Sequence, residues 1–314
     1  MPPETCTFAD DGVTLAYEVH GRGDRTLVYL HGLLFDRHVN RRLAADLAAA
    51  GNRVVLLDLP GRTDTGRPGP ARAYRVDAYA RQVVRLLDEL GAPRAVVGGV
   101  SLGACVSLHA AMLAPDRLEG LVLEMPVLEP APVARWAIAP ALALGSLLAP
   151  AWRAAGAATR LVPRRWAGPF GPLLAPVLSD PEELSSVVRG VLAGPLSPTA
   201  QERASIVQPA LVIGHRGDQV HPFTDARLLA EQLPGGRLVQ ALSPLELRTV
   251  PWRLTTAIAR FLDEVWETRD QAGHRDRASH RDQPEQAVIA EGATSGVRPS
   301  DVKPSAPTES GAPQ

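Results

Sequence analysis

Gly99-Val100-Ser101-Leu102-Gly103 sets a serine at the junction of a β-branched run, 95–100, and an apolar-periodic stretch, 102–113. A hydroxyl becomes a useful nucleophile only when a base takes its proton, and a strand that turns sharply into a helix presents the hydroxyl clear of its own backbone. Small residues on either side are what such a turn requires, because Cβ atoms there would meet neighbouring main chain. A helix N-terminus beneath the serine favours negative charge. The chemistry suggested is therefore attack on a carbonyl, with an oxyanion developing beside the helix.

The elements that must hold this serine are legible as an alternation. Short aliphatic or β-branched runs fall at 13–19, 26–31, 53–58, 95–100, 120–124, 210–214 and 237–241. Stretches with 3.6-residue apolar spacing fall at 39–50, 76–90, 102–113 and 254–266. Strands alternating with helices predict an α/β fold, a mostly parallel central sheet covered by helices on both faces. From residue 26 onward each run ends near Gly, Pro, Asp, His or Ser, where a strand gives way to a loop at the carboxyl edge of such a sheet.

Two segments depart from the rhythm. Residues 126–205 are rich in Ala, Leu, Pro and Trp and are broken at Pro140, Pro150, Pro163 and Pro181, which predicts several short helices inserted as a cap. The uncharged stretch 136–152 inside it contains two prolines and a glycine and falls short of the roughly 20 residues a membrane span needs, so a lid helix is expected there rather than a stable membrane insertion. From 268 to 314, Arg, Asp, Ser, Gln and Pro alternate without period or aromatic residues, and a disordered tail is expected. The expected organisation is thus a core of 1–125 and 206–267, a cap of 126–205 and a tail of 268–314.

Composition limits the partners. The 314 residues carry a net charge of −1, with 45% hydrophobic and 21% charged residues, which describes a globular chain without the basic balance of a nucleic-acid binder. Lys303 is the only lysine; that arginine bias carries no functional reading. Cys6 and Cys105 are too few for a disulfide scaffold, and no Cys/His cluster has zinc spacing, so neither metal nor cofactor is invoked. The N-terminus runs from Met-Pro-Pro-Glu-Thr directly into strand-like sequence without a basic then apolar leader, and a cytoplasmic location is expected. Oligomeric state is not legible.

Taken with its strand and helix, the serine motif resembles that of the α/β-hydrolase superfamily, and the resemblance extends over about residues 10–266. Asp11-Gly12-Val13-Thr14-Leu15-Ala16-Tyr17 followed by Leu27-Val28-Tyr29-Leu30-His31-Gly32 is similar to the family's opening. The resemblance implies that Ser101 is the nucleophile and that the loop after His31-Gly32 lends an oxyanion donor from Leu33 or Leu34. The N–H of Leu102, directly after the nucleophile, would be the second donor. Asp58-Leu59-Pro60-Gly61, then Arg67-Pro68, resembles the family's Asp-x-Pro-Gly-His-Gly loop, with Arg62 and Thr63 in place of His-Gly. Ile213 to Pro222 resembles the acid loop, which implies Asp218 as the carboxylate that orients the catalytic histidine; Glu124, closing a strand near the serine, is the alternative.

The family's histidine should follow the last strand, about seven residues before the proline that opens the final helix. Counting back from Pro251, that slot holds Pro244, and 241–251 contains no histidine at all. Of the eight histidines, His274 and His280 lie in the tail, while His20 and His109 read as structural. His38 would line the pocket mouth, and His31 would hold the oxyanion loop. His215 and His221 flank Asp218 on the correct edge of the sheet. His221 is the candidate base taken forward. His215, His31 and Glu246, whose carboxylate would become more basic if buried, stay open beside it.

The expected function is a serine hydrolase of the carboxylic ester or lactone class, acting by acyl transfer on a small apolar substrate. Trp136, Trp152 and Trp166 in the cap suggest the apolar character. Two alternatives arise from the vacant slot: a catalytically degenerate protein of the same fold that binds a small apolar ligand, and an enzyme of altered, lyase- or isomerase-like chemistry that needs only the oxyanion hole.

Overall fold

The computed structural model describes residues 3–33, 35–61, 71–128, 181–218 and 220–281. One compact unit spans Met1–Ala272 and contains every strand. Its sheet has eight strands: β1 (Glu4–Asp10), β2 (Val13–His20), β3 (Thr26–Leu30), β4 (Arg53–Leu57), β5 (Ala95–Val100), β6 (Leu118–Glu124), β7 (Ala210–His215) and β8 (Gly236–Ala241). They lie in the order β1-β2-β4-β3-β5-β6-β7-β8. The β1–β2 and β2–β4 pairs are antiparallel and all the others are parallel, so β3 to β8 deliver their carboxyl ends to one edge. The α/β architecture expected from the alternation is the one present.

Side chains alternate across this sheet because successive residues of a strand face opposite ways. On one face Val28, Leu30, Val55, Leu57, Val97, Leu121 and Val212 pack against α2 (Val76–Glu89), α3 (Leu102–Leu113) and α6 (Phe223–Gln232). On the other, Leu27, Tyr29, Val54, Leu56, Val96, Val122 and Ile213 pack against α1 (Arg41–Ala49) and α8 (Trp252–Arg281). Trp266 closes this second layer fully buried, its indole N–H donating to Asn52 Oδ1 at 2.8 Å.

β1 lies outside the expected strands. Of its seven residues only Phe8 is buried, so it carries no apolar alternation and is held by its full antiparallel register with β2. The boundary expected at 267 falls inside a helix, because α8 continues to Arg281. Arg269 stacks 5.2 Å over the Trp266 ring and pairs with Asp24 at 3.1 Å, and Glu, Arg, Asp, Gln and Ala are adequate helix formers without an apolar stripe. Residues 282–314 of the expected tail lie outside the described residues.

Of the expected cap, 129–180 lies outside the described residues, and with it Trp136, Trp152, Trp166 and the lid helix. The described remainder of that interval carries α4 (Pro181–Leu192) and α5 (Ala200–Ala204), the latter opened by a capping box between Thr199 and Glu202. α4 buries Val187, Val188 and Val191. Among the described residues no helix is long and apolar enough to cross a membrane, and no group of His, Cys, Asp and Glu is arranged to hold a metal ion.

Candidate active site

The serine turn is built by close approach of three backbones. A Cβ added at Gly103 would stand 2.7 Å from the Leu30 carbonyl oxygen and 2.8 Å from Leu30 Cβ; one added at Gly99 would stand 2.7 Å from that same oxygen. Both positions therefore admit only glycine. Ser101 sits between them at φ 56°, ψ −111°, a left-handed conformation that costs energy in a non-glycine residue and is imposed by the strand below and the helix above. Its N–H donates to Glu124 O at 2.8 Å, which ties the turn to the end of β6.

Three side chains then line up. His221 Nε2 lies 2.9 Å from Ser101 Oγ, and His221 Nδ1 lies 2.7 Å from Asp218 Oδ2. A carboxylate can only accept, so Nδ1 carries the ring proton and Nε2 presents its lone pair to the serine hydroxyl. Asp218 Oδ1 accepts from the N–H groups of Val220 at 2.8 Å and His221 at 3.1 Å. Burial works to raise this carboxyl, but the hydrogen bonds from the His221 ring and these two backbone groups hold it below its ordinary value, so it is ionised at neutral pH.

The remaining candidates are occupied elsewhere. His31 is buried, with Nδ1 2.8 Å from the Gly32 carbonyl and Nε2 accepting from the Leu59 N–H at 3.0 Å; it braces the loop after β3 against the one after β4. Glu124, the alternative acid, receives the Tyr29 hydroxyl at 2.8 Å and the Arg248 guanidinium. Glu246 is buried, as a base would require. Burial nevertheless loses to Arg253 and the Leu242 N–H, which hold its carboxyl below the ordinary value, so the expectation of a basic Glu246 is corrected. His38 lies against Asp36 at 3.1 Å and Glu18 at 3.5 Å. His215 lies on Asp218, with its Nε2 3.2 Å from Oδ2.

Of the expected oxyanion donors, Leu33 and Leu102 belong to segments next to Ser101. A Cβ built at Gly32 would lie 3.6 Å from Ser101 Cβ, so the loop that leads into Leu33 passes beside Ser101. Leu102 is the first residue of α3, where helix geometry leaves the N–H without a carbonyl partner. Leu34 lies outside the described residues, as do Arg62, Thr63, Arg67 and Pro68. Behind the loop, the Arg37 N–H donates to Asp58 Oδ1 at 2.6 Å, and its guanidinium bridges Asp58 and the fully buried Glu18.

The vacancy after β8 has its own occupant. Pro244 is exposed, and the segment between it and Pro251 forms the short helix α7 (Glu246–Thr249). From this helix Arg248 reaches to Glu124 and to Asn40 Oδ1 at 2.9 Å. An arginine thus enters the sheet's carboxyl edge from the loop in which the superfamily would carry its histidine. Sequence reasoning missed Arg248, and its partner stands 124 positions away with no local signal to connect them.

A protein-family model described as the alpha/beta hydrolase fold matches residues 25–160. A putative carbamate hydrolase, RutD, of Pseudomonas savastanoi pv. phaseolicola is 30% identical over 208 residues, covering 64% of this chain and 79% of its own. The dihydrolipoyllysine-residue acetyltransferase component of the acetoin cleaving system of Pseudomonas putida is 37% identical over 108 residues, 34% of this chain; the chain spans only 28% of the length of that relative. Among solved structures, the enol-lactonase from Burkholderia xenovorans LB400 superposes with a TM-score of 0.67 at 22% identity, covering 82% of this chain and all of its own, a likeness of fold.

Proposed function

The chain belongs to the α/β-hydrolase family, and within it we propose a serine hydrolase of the carboxylic ester or lactone class that works through Ser101, with a base carried on the acid loop. The observation that carries this reading is the continuous chain Ser101 Oγ, His221, Asp218, at 2.9 and 2.7 Å. In the proposed mechanism, His221 Nε2 takes the hydroxyl proton as Oγ attacks the substrate carbonyl carbon. The carbonyl π pair moves onto oxygen, which the N–H groups of Leu33 and Leu102 receive. The imidazolium, its other N–H on ionised Asp218, then hands the proton to the departing alkoxide as the tetrahedral carbon collapses. Water enters by the same steps in reverse order. Its proton goes to His221, its oxygen to the acyl carbon, and Ser101 leaves with the proton returned.

An ester or lactone is favoured because an alkoxide leaves with one proton from one base and the triad asks for no further group. The name of the putative carbamate hydrolase, 79% of which the chain covers, supports the coarser reading of a hydrolase. The ligand-binding and oxyanion-only alternatives drew their support from the vacancy at 244, and His221 beside Ser101 removes that support. The reading includes a small substrate of low polarity. A fluorophosphonate probe tests it: the folded protein should be labelled stoichiometrically at Ser101 and the Ser101→Ala variant should not. A folded wild type that resists labelling would overturn the proposal.

A further inference from the structure

We propose that His215 is a positioning residue that fixes the direction of the Asp218 carboxylate toward His221. The inference rests on the reading of Ser101, His221 and Asp218 as a working triad. Its starting point is the shortness of the acid loop: acid and base are three residues apart, so neither can serve as a rigid reference for the other. The two backbone N–H groups on Asp218 Oδ1 come from Val220 and from His221 itself. The loop is entered through Gly217 at φ +83°, a residue with wide backbone freedom. Contacts made within such a loop move with the loop.

His215 is anchored differently. It is the last residue of β7, paired with Ala241 of β8, and its side chain is 1% exposed. Its Nε2 lies 3.2 Å from Asp218 Oδ2 and 3.2 Å from Met125 Sδ, while Nδ1 lies 3.4 Å from the Arg216 carbonyl. A bare ring nitrogen beside a carboxylate would be repelled, so Nε2 presents a proton to the space shared by the carboxylate oxygen and the thioether sulfur. Met125 is itself fixed, at φ +49° with its N–H on Ile213 O at 2.7 Å. Among the described residues, the contact from His215 is the one on Asp218 that originates in the sheet. Through it the acid shares a frame with the serine, which hangs from β5 and β6.

His215→Leu removes the contact while keeping an apolar volume, and His215→Gln restores an N–H donor. Thermal unfolding identifies which variants fold. The second-order rate of Ser101 labelling by a fluorophosphonate should fall about 100-fold in His215→Leu, the order of loss that accompanies misplacement of a catalytic group by about 1 Å, and should recover most of the way in His215→Gln. A purely structural role predicts the same loss in any background. A positioning role predicts that in Asp218→Asn the further change His215→Leu costs less than about 3-fold, because the group being positioned is already disabled. Equal losses in both backgrounds, or full labelling of His215→Leu, would overturn the inference. Histidine 15N–1H spectra of the resting protein read it without reactivity: the Nδ1–H signal of His221 should be sharp in wild type and in His215→Gln, and broadened or lost in His215→Leu. An unlabelled wild type with that spectral pattern would sink the hydrolase reading and leave the positioning inference standing. An unchanged His221 signal in folded His215→Leu would sink the inference alone.

Discussion

Replacing His221 by alanine should abolish reactivity, and a histidine returned to position 244 should not restore it. His221→Ala removes both hydrogen bonds of the chain, at 2.9 Å to Ser101 and at 2.7 Å to Asp218, and leaves no other imidazole among the described residues on the serine hydroxyl. Loss of the base from a serine triad costs about 10^6 in kcat, or about 8 kcal/mol of transition-state stabilisation. Asp218→Asn should cost about 10^4, and the double variant no more than His221→Ala alone, because the acid acts only through the base. Pro244→His would put an imidazole in the slot that the superfamily uses. That slot is exposed here, and its flanks are pinned: the Leu242 N–H donates to Glu246 at 2.5 Å, Glu246 holds Arg253 at 2.8 Å, and Arg248 is locked to Glu124. Hydrolysis of a p-nitrophenyl ester and fluorophosphonate labelling, read side by side, are the assays. Recovery of more than about 10-fold by Pro244→His in the His221→Ala background would show that the return loop still reaches Ser101, and would refute the relocation. Retention of activity within 10-fold by His221→Ala would refute the base assignment itself.

Arg248→Met should destabilise the fold by about 3–5 kcal/mol, since it strands the Glu124 charge at a site where the two side chains are 11% and 4% exposed; adding Glu124→Gln should recover part of the loss. Differential scanning fluorimetry should register a fall on the order of 10 °C for the single variant, and a change under about 2 °C would contradict the assignment of a buried pair. Burial pushes the Asp58 carboxyl up to about 6 from 3.8, against the opposing pull of Arg37. A raised carboxyl contributes stability that is full below the unfolded value and is lost as pH rises through the folded one, so the Asp58 contribution should decline between about pH 4 and pH 6. Urea titrations across that window should show Asp58→Asn with a flatter profile than wild type; parallel profiles would remove Asp58 as the source.

The parts of the site that were legible in the sequence share one property: they are set by residues close to one another in the chain. The Gly99 to Gly103 turn could be read because a strand, a small-residue turn and a helix come in immediate succession, and Asp218 because its loop comes directly after β7. The core strands could be read because both faces of β3 to β7 are covered, which leaves near-continuous apolar runs. β1 could not, since its hold on the fold is main-chain pairing with β2, and backbone hydrogen bonds leave no mark on residue type. The proposed base, His221, was visible as a histidine three residues after Asp218. Its reach to Ser101 depends on loop dihedrals that its sequence does not encode, so it stood as one of several candidates. Glu246 misled for a related reason: the condition set for it, burial, is met, but the arginine that offsets the effect of burial lies in the next helix.

With Asp218 as acid and His221 as base, as proposed, one loop carries both groups and the path by which geometry reaches the serine is short. In the superfamily's usual arrangement the histidine arrives from beyond β8, so its distance to the nucleophile depends on the placement of a further strand and loop. Here Ser101 stands after β5 and His221 after β7, with one strand between them. Two hydrogen bonds fix that interval: Ser101 N–H to Glu124 O at 2.8 Å joins the turn to β6, and Met125 N–H to Ile213 O at 2.7 Å joins β6 to β7. Ser101 and His221 are then both referred to three adjacent parallel strands, paired in unbroken register from Val96 to Val100 on β5 and from Leu121 to Glu124 on β6. On the proposed assignment the return loop after β8 takes no part in proton transfer, and it carries instead the buried Arg248 guanidinium paired with Glu124.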